Sequence, residues 1–151
     1  MTSHVSHLAK EEGQALVEFA LVLPVLLLIL MSVMHFGRAL NYWNDETHLT
    51  AEAARYAAVN RKPDPTSALS LQAQIKAQAD AADLKGAAAQ VCVDFPNGTS
   101  NQGDPVRVTM TFPFAWIPLI SSQTGIATTS LGASTVMRLE AQPTNFSAGC
   151  A

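Results

Sequence analysis

The amino-acid sequence predicts an α+β fold: a long N-terminal helix that crosses a membrane, a second helix, and a small antiparallel β-sheet. Three observations carry this. Residues 15–34 are twenty positions with a single charge, Glu18, and at ~1.5 Å of rise each they reach ~30 Å, the hydrocarbon thickness of a bilayer. Residues 35–60 contain no helix-stop signal, so the helix runs on beyond that span. Residues 88–140 contain three segments in which apolar and polar side chains alternate with a period of two, the pattern of half-buried strands.

Residues 1–13 are polar and aperiodic, with His4, His7 and Lys10-Glu11-Glu12. They read as a cytoplasmic leader or tail too short to fold, and two histidines without a further ligand do not make a metal site. The long helix is expected over residues 14–60, a length of roughly 70 Å, with its membrane span at about residues 15–34. Pro24 lies inside the span, where neighbours can satisfy the freed carbonyl, and a kinked or loosened turn is expected over residues 20–24. Past Arg38, the side chains of Leu40, Trp43, Thr47, Ala51, Ala54 and Ala58 recur at helical spacing, predicting an amphipathic continuation to about Val59. Its small residues suit close approach of another helix or a sheet.

Residues 61–66 form a linker with Pro63 and Pro65, and residues 67–151 form the ectodomain. Ser67 is the expected N-cap of a helix over residues 68–83, with Leu69, Ile75, Ala79 and Leu84 as its apolar face and Gly86 as its terminator. A strand is expected over residues 88–95, with Val91, Val93 and Phe95 on one side and Cys92 and Asp94 on the other. After a loop over residues 96–105, Val106, Val108, Met110 and Phe112 mark the clearest strand. Residues 112–120 are apolar but contain Pro113 and Pro118, which argues against a central strand and for a connection over the sheet edge; a patch that contacts a partner or the membrane is the sharper reading. A third strand follows through Glu140, and the tail is irregular.

Lys and Arg number 9 against 12 Asp and Glu, a net charge of −3 without a basic cluster, so nucleic-acid binding has no electrostatic support. No phosphate loop, hydrolase elbow, zinc-protease motif or paired-carboxylate context is present, and His35 and His48 are scattered, so neither an enzyme nor a cofactor or metal site is indicated. The Asn97 and Asn145 sequons are short enough to arise by chance. Cys92 and Cys150 have neither CxxC nor zinc spacing; on an oxidising side of the membrane a disulfide between them is favoured over two free thiols. Lys10 on one flank of the span balances Arg38 on the other, so the positive-inside rule does not set the orientation, and the short N-terminal tail is the easier part to leave in the cytoplasm.

A charged side chain at membrane depth costs a few kcal/mol and usually marks a function. Here Glu18 is the fifth residue after Gly13, and Phe19 follows it. The run Glu12-Gly13-Gln14-Ala15-Leu16-Val17-Glu18-Phe19-Ala20-Leu21-Val22-Leu23-Pro24, then Phe36-Gly37-Arg38, then Ala53-Ala54-Arg55-Tyr56-Ala57-Ala58-Val59, resembles the TadE family. These are minor pilins, or pseudopilins, of the tight-adherence (Tad, Flp) type IV pilus machinery. The resemblance is specific over residues 11–60 and looser over the segment ending Ser134-Thr135-Val136-Met137-Arg138-Leu139-Glu140.

The resemblance implies a pilin-like fold and cleavage between Gly13 and Gln14 by a prepilin peptidase at the cytoplasmic face of the inner membrane, with the ectodomain periplasmic or extracellular. Glycine is small and flexible enough to let the backbone enter a protease cleft. The new amine of Gln14 and the carboxylate of Glu18 would then be opposite charges at one depth, on the same chain or between neighbours. Glu18 and Phe19 are thus the assembly residues. The implied partners are the peptidase, other pilins, Tad inner-membrane assembly proteins and the lipid bilayer, and the implied role is pilus assembly, adherence and biofilm formation. Two other readings stay open: a permanent single-pass anchor with no pilus role, and a secreted domain cut by signal peptidase after Ala39.

Overall fold

A computed structural model of the chain describes residues 4–116 and 127–151, with side chains from residue 13 onward. Two units are distinguished, Met1–Arg38 and Ala39–Ala151. The first is the start of helix α1 (His4–Ala58), which begins ten residues ahead of Gln14 and continues unbroken through Pro24.

In the second unit α1 supplies one layer and a four-stranded antiparallel sheet the other. The strands are β1 (Gln90–Asp94), β2 (Pro105–Ala115), β3 (Thr128–Arg138) and β4 (Gly149–Cys150), in the spatial order β3-β2-β1-β4. Two short helices, α2 (Leu71–Gln78) and α3 (Ala82–Lys85), complete the fold. Val91 and Val93 of β1 pair with Met110 and Val108 of β2, and these side chains are buried against Leu49, Ala53, Ala54 and Ala57 of α1 and Leu71 and Ile75 of α2. The alanines let the helix backbone come close to the sheet, which larger side chains would prevent.

α1 lies along β3 in the same direction. Tyr42 packs edge-on against Phe112 and Phe114, the partners of Leu131 and Thr129, while Thr50 meets the Thr135 hydroxyl at 3.3 Å and Ala58 O accepts from Glu140 N at 2.8 Å. The buried stripe therefore runs through Ala39, Tyr42, Glu46, Leu49, Thr50, Ala53, Ala54, Ala57 and Ala58. It shares Ala54 and Ala58 with the predicted one but is rotated from it over the first turns, where Leu40, Trp43 and Thr47 are exposed. Apolar residues occupy more than one face of this helix, so spacing alone does not choose between them, and the aromatic contacts of Tyr42 do.

α1 ends in a hydrogen-bonded Schellman turn: Asn60 N donates to Ala57 O and Arg61 N to Tyr56 O, with Asn60 at φ +52°, where asparagine is tolerated. The same Asn60 uses its side chain on the C-terminal tail. Its Oδ1 accepts from Thr144 N and Asn145 N, and its Nδ2 donates to Thr144 Oγ1.

Three expectations are corrected. The single helix over residues 68–83 is two helices, capped by Ser70, whose Oγ accepts from Ala73 N, and broken at Ala79, where ψ is 138°. The break is held from outside, since Asp45 Oδ2 accepts from Asp80 N and Ala81 N. With that start, Leu71 is buried and Leu69 exposed. Pro113 stands inside the central strand β2, opposite Ser130. Its missing N–H is harmless because it faces the β1 side, where pairing has already ended at Thr111–Gln90. The irregular tail closes the sheet: β4 pairs with β1, and Val91 and Ala151 exchange backbone bonds of 2.9 and 3.0 Å. The rest of the apolar stretch, residues 117–120, lies outside the described residues, as do the side chains of His4 and His7.

Candidate processing and assembly segment

Gly13, Gln14, Glu18 and Phe19 all lie on α1. A side chain built on Gly13 would meet nothing within 4 Å, so packing places no demand for glycine there. In a helix interior glycine costs about 1 kcal/mol relative to alanine, which makes this turn easier to unwind than one with alanine in its place. Gln14 Nε2 donates to Glu18 Oε1 at 3.1 Å, an i,i+4 contact that puts both on one face. Side chains on a helix lean towards its N-terminus, so the Glu18 carboxylate points towards residue 14. Phe19 is 61% exposed.

From Leu16 to Met34 the large apolar side chains other than the half-buried Leu23 are exposed around the helix, Leu21, Ile29 and Val33 included. This surface is long and apolar enough to cross a bilayer. Ser32 keeps its hydroxyl satisfied on Leu28 O at 2.8 Å, as a polar group in lipid must.

Cys92 and Cys150 belong to the second unit, where they face each other across β1 and β4 and are joined by a disulfide. Among the described residues no group of three or more His, Cys, Asp or Glu is placed to hold a metal ion.

A family model described as TadE-like protein matches residues 13–55, from the glycine at the candidate cleavage junction to Arg55 on α1. Residues 13–55 are a TadE-like segment. A TadE-like segment on a membrane-capable helix fits a membrane protein associated with a pilus assembly system. The match ends before the first strand, so the sheet lies outside it. Comparison with curated proteins and with solved structures finds no match.

One side chain outside the predicted set stands out, Glu46, with 0% exposure. Burial, and then the charge of Asp45, push its carboxyl up from 4.5 to about 7. The signal available in the sequence was the helical spacing Tyr42-Glu46-Leu49-Ala53, legible only once that stripe is known to face the sheet.

Proposed function

We propose that the chain is a minor pilin, or pseudopilin, of a Tad/Flp pilus, matured by a prepilin peptidase that cuts between Gly13 and Gln14 and held in the inner membrane by residues 15–34. Its role is in pilus assembly, and through the pilus in adherence and biofilm formation. The observation that carries this reading is the TadE-like match beginning at a glycine the fold does not require, with Glu18 one turn beyond Gln14. After cleavage Gln14 would carry the free amine, towards which Glu18 leans. In lipid an unpaired carboxylate is costly, so an amine on the same chain or a neighbour gives Glu18 its counter-charge. A cut after Ala39 fits less well, because Ala39 is buried in α1 with Tyr42 and Phe114.

Intact mass and N-terminal sequencing of the protein recovered from membranes test the proposal. Gln14 as first residue is the expected result; Leu40, or an uncut chain, would overturn it. Gly13→Ala is sterically tolerated and strengthens the helix, so full-length precursor should accumulate with the fold unchanged. Glu18→Ala should be cut normally and yet fail to enter filaments, read by mass on the membrane fraction and by counting pili. Wild-type piliation in that variant would remove the pairing role.

A further inference from the structure

Neither carboxylate oxygen of Glu46 has a hydrogen-bond partner, and the residue is fully buried. Contacts on either side of it define its surroundings. One turn earlier, Tyr42 rests on Phe112 and Phe114; one turn later, Thr50 meets Thr135. Glu46 therefore stands over the stretch of sheet between those points, where Met110 pairs with Ala133 and Phe112 with Leu131. This floor is apolar, and β2 and β3 bring no charged group to it. The segment joining α2 to α3 brings Asp80, and α3 brings Asp83, which accepts the Tyr42 hydroxyl. On α1 itself Asp45 is pinned beside Glu46 by the backbone N–H groups of Asp80 and Ala81. These neighbours are acidic, and the charge of Asp45 adds to the effect of burial.

An ionised carboxylate in such a place carries a large desolvation cost, which a proton removes. We infer that Glu46 is a proton-controlled latch: with its carboxyl neutral, residues 39–58 of α1 dock on β2 and β3, and loss of the proton weakens that docking. The latch is independent of whether the chain is cut at Gly13.

The sign follows from proton counting. Undocked and solvated, Glu46 ionises near 4.5; docked, it keeps its proton to about 7. The docked form binds more protons between these values, so docking is strongest at or below pH 4.5. It weakens by up to about ten-fold per pH unit towards pH 7 and levels off about 300-fold weaker above it.

Two measurements on the full chain in detergent micelles test the latch. In wild-type protein with ¹³C-labelled glutamate carboxyls, the resonance assigned to Glu46 should titrate near pH 7, and a midpoint below pH 5 would overturn the inference whatever any variant does. Denaturation curves between pH 4.5 and 8 should show the second unit losing stability as pH rises. Glu46→Gln, which keeps the shape and cannot ionise, should flatten that dependence, and Glu46→Leu should flatten it and be the more stable at pH 8. A wild-type pH profile in Glu46→Gln would show that another group is responsible.

Discussion

Replacing Cys92 and Cys150 together with serine will lower the unfolding free energy by about 4 kcal/mol, the chain-entropy expectation for a loop of this size. The bridge joins residues 58 positions apart and encloses β2, β3 and most of the loops between them. Its effect lies mainly in the unfolded chain, which it keeps compact. In the folded chain it also holds β4, a strand of two residues that the backbone bonds between Val91 and Ala151 would hold only weakly. Denaturation of the full chain in detergent at fixed pH, with and without reductant, measures the difference. Coincident midpoints would mean that the bridge adds nothing. The tail should stay partly attached after reduction, because Asn60 still holds residues 144 and 145 and Gln72 Nε2 still donates to Ser147 O at 2.9 Å.

Phe114→Ala will cost about 3–5 kcal/mol, the range for truncating a buried aromatic ring. Phe114 is 2% exposed and forms, with Ala39 and Tyr42, a small core separate from the main one. Its ring meets Tyr42 at 5.7 Å and Trp116 at 5.1 Å, both edge-on. Losing it removes the ring contacts as well as buried area, and β2 has no β1 partner at this level with which to close the gap. Phe114→Leu should recover much of the loss. Equilibrium denaturation checks both variants, and a loss below about 1 kcal/mol for the alanine would show that this end of the sheet is not packed as described.

How much of this was legible beforehand depends on what each residue needed to know. Alternation revealed β2 and β3, because a period of two needs only one buried face. Asn60 could be read as near the helix end, though its bonds to Thr144 and Asn145 required the folded tail. The break at Ala79 was invisible because its stabilising group, Asp45, lies far away in sequence. Pro113 misled because its tolerance depends on where β1 stops, a fact of register rather than composition. At the candidate site, Gly13, Gln14, Glu18 and Phe19 were readable as a motif, and the fold adds that among the described residues nothing packs on Gly13. Glu46 could not be found without the docking of α1, because helical spacing shows a stripe and not which stripe is covered.

The attachments of α1 to the rest of its unit have a mechanical consequence. They are spread along the helix: Tyr42 to Asp83, Asp45 to the backbone of Asp80 and Ala81, Thr50 to Thr135, Ala58 to Glu140, and Asn60 to Thr144 and Asn145. Because α1 lies along β3, a pull directed down the helix axis loads these bonds in shear, all at once, instead of peeling them one after another. Tension reaching the second unit through Ala39 is thereby shared over about five turns of helix, and no single bond has to bear it.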